Sequence, residues 1–176
     1  MKSRTHDPRR LDVAAAAADG VTLSGAIALG KLARLSEGLS SDAAASWSAH
    51  FERRGRQAAD PEIWLQLRAA ARVPRQCQRC LQTVLLDLGV DRAFQFVRDE
   101  ATAEAMDAEA EHDVLALSWP FDLLTLVEDE LLLELPLVPR HDKCPNPLPM
   151  PSDAEGAEAP ANPFASLAVL KRGPQH

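Results

Sequence analysis

The chain of 176 residues has no tyrosine, five phenylalanines and three tryptophans. A base-stacking surface for nucleic acid needs several exposed rings in succession, so this composition supports that mode poorly. Nor is there an apolar run of about 18 residues, and no membrane-spanning helix is expected. The start, residues 1–10, is basic, but no signal-like apolar stretch follows it, and the alanine run at 14–18 is flanked by Asp12 and Asp19. The expectation is a cytoplasmic protein with no membrane partner. Three cysteines, two of them in a Cys-x-x-Cys pair, argue against a secreted disulfide framework. The sequence also lacks a Gly-rich phosphate loop, a Gly-x-Ser-x-Gly elbow and a His-Glu-x-x-His pair. Ser, His and Asp are scattered. No catalytic constellation emerges, and no small-molecule substrate is expected.

What is present is unevenly charged. The formal net charge is −7. Residues 1–75 hold 12 Lys/Arg against 8 Asp/Glu, whereas residues 76–176 hold 7 against 18. Net acidity disfavours indiscriminate nucleic-acid binding, whose affinity comes mainly from neutralised phosphates. A local basic face in the first half remains compatible with it.

Periodicity predicts an α+β fold with a mainly antiparallel sheet, a barrel-like closure being one option, and a long amphipathic helix at 121–135. Residues 1–42 read as an N-terminal arm of the same domain, 43–144 as the core, and 145–176 as a linker with a short terminal helix. Strands are expected at 21–29 and 45–51, and a short helix at 31–39 carries Leu32, Leu35 and Leu39. The clearest strand is 63–73, where the odd positions Ile63, Leu65, Leu67, Ala69, Ala71 and Val73 are all apolar. A strand pattern resumes at 81–90, which 93–97 extends or follows, and again at 114–117. Between them, 99–113 is acidic and alanine-rich and reads as a mobile loop or an exposed helical turn. In the long helix, Leu123, Leu124, Val127, Leu131 and Leu135 form one stripe, with Asp122 at the start and Pro136 at the end. The triplet Glu128, Asp129 and Glu130 spans about 200° of that helix, so its carboxylates do not converge on a metal and read as a solvated face. Residues 145–163 are rich in Pro, Ala and acidic side chains and read as a disordered linker. Asn162 and Pro163 then start a turn carrying Phe164, Leu167 and Leu170, which either docks back or binds a partner.

All three cysteines fall in two stretches. Cys77 and Cys80 sit in a turn between strand runs, which suggests a hairpin with two thiols at its tip. Cys144 follows His141 in the Pro-bounded loop after the helix. Cys77, Cys80, His141 and Cys144 together make a set of soft ligands suited to one closed, structural zinc. Reduced cysteines without an ion are the plain alternative. Redox chemistry is a third, but it expects the thiol pair at a helix N-terminus within a βαβ unit, and none surrounds it. A second cluster holds Arg68, Arg72, Arg75 and Arg79, with Arg53, Arg54 and Arg56 nearby. It reads either as a phosphate-contacting stripe or as solvated strand faces.

These residues carry a family resemblance. Cys77-Gln78-Arg79-Cys80, then Asp122-Leu123-Leu124 to Val127-Glu128-Asp129-Glu130-Leu131, then Leu135-Pro136-Leu137-Val138-Pro139 with His141 and Cys144, resemble the YceD family. Asn162-Pro163-Phe164-Ala165 with Leu167, Leu170 and Lys171 is similar to that family's C-terminus. The resemblance implies a bacterial cytosolic factor for accumulation of 23S ribosomal RNA, through its synthesis, processing or stability, and no enzyme. The expected partners are the large-subunit precursor, 23S RNA or a basic ribosomal protein; the resemblance assigns no residue a role, and the charge of Glu128, Asp129 and Glu130 makes that face a separate candidate for the last of these. Two rival readings come from other classes. One is a thiol-disulfide or zinc-dependent enzyme centred on Cys77 and Cys80; the other is a small interaction module using the tethered terminal helix.

Overall fold

A computed structural model describes residues 6–37, 43–55 and 61–146. The chain divides into two units, 1–144 and 145–176, and the first is described below. The expected linker at 145–163, the terminal helix around Phe164 to Leu170, Leu39 and Arg56 lie outside the described residues, apart from Pro145 and Asn146.

The first unit is α+β. Five strands, β1 (Thr22–Ala28), β2 (Ala44–Arg54), β3 (Glu62–Gln76), β4 (Thr83–Val97) and β5 (Asp113–Ala116), lie side by side in chain order. The first three pairings are antiparallel, and β5 joins β4 in parallel. Among the described residues β1 and β5 form opposite edges, so the sheet is open and the barrel-like option is not realised. Among the described residues three helices accompany it: α1 (Val13–Asp19), α2 (Glu100–Asp107) and α3 (Leu123–Leu133). None is long and apolar enough to cross a membrane.

Alternation decides the sheet's two faces. Trp47, Ala49 and Phe51 of β2, Leu65 to Val73 at odd positions of β3, and Leu88, Val90, Phe94 and Phe96 of β4 are buried together. Leu123, Val127 and Leu131 of α3, with Val13 and Ala16 of α1, complete that core. Gly25 on β1 leaves room for the Trp47 ring, which would have to shift by a few tenths of an ångström for a Cβ standing 3.1 Å away. The run of inward odd positions predicted for residues 63–73 is therefore the middle of the sheet.

Several expectations need correction. Residues 1–20 lack periodicity, yet α1 forms there, because Asp12 accepts from the Ala15 N–H at its start and Gly20 takes φ 61° at its end. Residues 29–31 form one 3₁₀ turn rather than the start of a helix over 31–39, and Leu32 and Leu35 are buried by the turns that follow. Residues 93–97 extend the preceding run into one strand, one of the two options, and that strand starts at Thr83, with Leu81 and Gln82 still in the turn. In the acidic segment 99–113 the helical option holds in part: α2 is largely exposed and is capped by Asp99, whose carboxylate accepts from the Thr102 N–H at 2.8 Å.

The helix expected at 121–135 is α3, 11 residues long. Asp122 caps it, accepting from Leu124 and Thr125. It is not a stripe opposite a solvated acidic face. Glu128 and Glu130 are only 8% and 6% exposed. Glu128 accepts from the backbone N–H groups of Arg34 at 2.7 Å and Leu35 at 3.1 Å, while the Arg34 side chain meets both Glu128 and Asp129. Glu130 lies 3.2 Å from Arg92 Nε, but its Oε2 has no aligned hydrogen-bond donor. Burial raises the Glu130 pKa more than Arg92 lowers it. Glu128 and Glu130 are thus consumed within the fold, while Asp129 stays 42% exposed and is paired with Arg34.

Two outcomes follow. Glu128→Ala strands two backbone donors beside the buried Leu35 and is expected to cost about 3 kcal/mol in denaturant unfolding; a loss below about 1 kcal/mol would contradict the anchoring role. Glu130 has its folded pKa above its unfolded one, so its contribution is greatest at low pH and is lost as pH rises through the folded pKa. Glu130→Gln should flatten that fall in a series of unfolding curves above pH 4.5, the ordinary value.

Candidate metal centre

The β3–β4 hairpin brings Cys77 and Cys80 to its tip, as expected from the turn between strand runs. The loop closes tightly. Cys77 N–H donates to Gln82 O and Leu81 N–H donates to Cys77 O, both at 2.8 Å, and Leu81 takes φ 62° to complete the turn. The chain leaving α3 then comes back to this tip. Gln78 N–H donates to Pro139 O at 2.8 Å, and His141 and Cys144 arrive beside the thiols.

One ligand atom from each of Cys77, Cys80, His141 and Cys144 lies within 4.8 Å of the other three. Cys77 Sγ is 3.8 Å from Cys144 Sγ, and Cys80 Sγ is 3.5 Å from His141 Nδ1. A tetrahedral zinc site with ordinary Zn–S and Zn–N bonds has S···S edges of about 3.8 Å and S···N edges of about 3.5 Å. Those two edges match. The cysteines are free thiols. His141 Nε2 lies 3.1 Å from Thr83 O, which can only accept, so Nε2 carries the proton and Nδ1 turns its lone pair to the sulfurs.

The electrostatics favour thiolate at one position. Burial opposes ionisation of Cys77, but N–H groups of Arg79, His141 and Cys80 and the His141 ring outweigh it and bring the thiol down to about 5. At Cys80 the Gln82 N–H favours thiolate, yet burial and the sulfurs of Cys144 and Cys77 push the pKa up. Cys77 has no exposed surface. An acidic thiol that no substrate can reach suits a ligand better than a redox nucleophile.

Of the two options for the arginines, a phosphate-contacting stripe or solvated strand faces, Arg68 and Arg72 fit the second and the others are dispersed. Arg68 and Arg72 point from the outer sheet face, paired across the strands with Asp91 at 3.2 Å and Asp87 at 2.9 Å. Arg75 has the opposite parity, is half-buried and donates to Leu35 O at 2.7 Å. Arg79 belongs to the cysteine cluster, with Nε 3.0 Å from Cys144 Sγ. Arg53 donates to Ala14 O, and Arg54 stacks on Trp64. Sequence reasoning also missed Thr22 and His50, whose Oγ1 and Nδ1 lie 2.8 Å apart on paired positions of β1 and β2. Glu52 is 3.9 Å from that ring, beyond a hydrogen bond, and is held by Arg54 at 2.7 Å, so the three do not form a catalytic relay.

A model of the YceD family, described as large ribosomal RNA subunit accumulation protein YceD, matches residues 65–171. The chain belongs to the YceD family. No solved structure matches it. The family match includes all four residues of the cysteine–histidine cluster, most of β3, and the whole of β4 and α3, whereas α1, β1 and β2 precede it.

Leu81 offers a local check on the turn. A left-handed conformation costs a residue with a Cβ about 1–2 kcal/mol, less for Asn. Leu81 is 57% exposed, so little packing is at stake. Leu81→Asn is expected to raise stability by about 0.5–1 kcal/mol in thermal unfolding; a loss would mean that the leucine side chain contributes contacts of its own.

Proposed function

We propose that this chain supports accumulation of 23S ribosomal RNA as a non-catalytic binding protein in the cytoplasm, acting on the precursor of the large subunit. The observation that carries this reading is the family match over residues 65–171, which takes in the hairpin, α3 and the cysteine cluster. The family's description supplies the large-subunit RNA; the steps of synthesis, processing or stabilisation are alternatives within it.

The charge arrangement argues for docking on a folded particle over coating of bare RNA. Arg68 and Arg72 are matched by Asp91 and Asp87, which leaves little net positive potential on that outer face. With the acidic triplet engaged internally, an acidic docking patch at 128–130 is not part of the proposal. If the outer face meets phosphate, it does so through Arg68 and Arg72. Each neutralised phosphate adds somewhat less than one unit to the salt slope, so two give a slope of about −1.4 to −1.8.

In sucrose gradients the protein should travel with a precursor of the large subunit, and cells depleted of it should lose 23S relative to 16S RNA. Sedimentation at the top of the gradient with unchanged 23S levels would overturn the reading. For the phosphate contact, Arg68→Gln combined with Arg72→Gln should abolish the salt slope of particle binding. A steep slope that survives the pair would place the RNA contact elsewhere.

A further inference from the structure

We propose that the free edge of β1 pairs antiparallel with the β1 edge of a second copy of this chain, joining two five-stranded sheets into one. The inference is independent of the ribosomal reading, since it rests on the β1 ladder and on the distribution of charge.

The pairing with β2 decides which backbone groups of β1 face outward. Phe51 N–H donates to Val21 O, and Leu29 N–H donates to Ala43 O. Hydrogen-bonded positions alternate along an antiparallel ladder, so the odd residues of this stretch bond to β2. The N–H and C=O groups of Thr22, Ser24, Ala26 and Ala28 therefore point away from the sheet. Among the described residues no strand takes them up, and all four residues are exposed.

The two edges of the sheet differ. Edge strands are ordinarily blunted by charge, proline, a bulge or a covering element. That holds at β5, which has four residues and begins with Asp113, and whose outward Val114 N–H is taken by Asp107 of α2 at 3.2 Å. β1 has none of these devices. Its seven residues contain no charge and no proline, and they pair with β2 in unbroken register.

The strand is also complementary to itself. A dyad perpendicular to the sheet sets the two strands antiparallel and keeps both core faces on one side. Only even positions can then exchange hydrogen bonds across the seam. A register centred on Gly25 pairs Ser24 with Ala26 of the second copy and Thr22 with Ala28, which uses every outward residue of both strands. It also sets the half-buried Leu23 opposite Ile27 of the second copy, on the core side. An uncharged strand offers a basic or acidic foreign segment no charge to recognise, whereas its own sequence fits it.

Two chains of net charge −7 repel, but the surplus lies away from this seam. β1 and β2 belong to the half with excess Lys and Arg, and the acids of β4, α2 and β5 stand toward the far edge. At about 4.8 Å per strand the two β4 strands are about 34 Å apart across the joined sheet, several Debye lengths at physiological salt.

The test is sedimentation equilibrium of the full, reduced chain over a range of concentrations. The mass should rise about twofold from 19.1 kDa, as a closed dimer requires. The amides of Thr22, Ser24 and Ala26 should exchange more slowly in proportion to the dimer fraction. Ser24→Lys, which puts charge on the edge, and Ser24→Pro, which removes an outward donor, should both lose the dimer. Ser24→Lys alters an exposed side chain and should keep the thermal unfolding of the monomer, so it decides the matter should the proline variant fail to fold. Mixed Ser24→Cys and Ala26→Cys chains should cross-link to each other more than either does to itself, because the unlike positions stand opposite. A chain that stays monomeric up to about 1 mM would overturn the proposal. A dimer that survives both Ser24 substitutions would do the same. So would edge amides protected only when a large-subunit precursor is added, since the occupant would then be an extended strand of another protein.

Discussion

The side-chain parity of β3 governs much of what the molecule does with its charged and soft residues. From Ile63 to Val73 every odd position faces the core, and the pairing with β4 keeps partners on the same side, Leu65 with Phe94 and Val73 with Leu86. A strand has no freedom to send one of these residues to the other face without shifting its whole register. Arg75 continues the odd series and so turns inward to Leu35 O, while Arg68 and Arg72 turn outward to their aspartates. Cys77 stands next in that series, on the side from which the chain after α3 returns.

The same constraint explains the two buried glutamates. Arg92 faces Leu67 across the β3–β4 ladder and therefore lies on the core side, where α3 packs. The Arg92 side chain is itself 42% exposed and reaches the buried Glu130 from the rim of that packing, at 3.2 Å. Glu128, on the same helix, meets the backbone of the turn at Arg34 and Leu35. These contacts tie the N-terminal third of the chain and the sheet to one short helix. Charge on α3 is thus part of the packing, and an isolated helix projection, which places all three acids toward water, misjudges it.

Beyond the helix the chain reaches the hairpin tip and meets it through main-chain as well as side-chain groups. Gln78 binds Pro139, Arg79 binds the carbonyls of His141 and Asp142, and His141 binds Thr83. These hydrogen bonds by themselves bring four soft ligand atoms together. The cluster and α3 are connected by the ten or so residues after Leu133, so whatever steadies the tip also steadies the path back to the helix.

By itself, the sequence determined the strands, the hairpin with its two thiols, α3 with its Asp122 cap, and the four candidate ligands, because alternation, capping and cysteine spacing are local signals. It also carried the family resemblance. Helix α1 was legible only in its caps, Asp12 and Gly20, since five consecutive alanines have no apolar stripe to read. Tertiary structure alone decided the parallel addition of β5, the open edges of the sheet and the partners of Glu128, Glu130 and Arg79. It also decided that the four arginines separate rather than align. Pairings between residues tens of positions apart depend on which surfaces meet after folding. Periodicity gives the face a side chain takes, but not what stands opposite it.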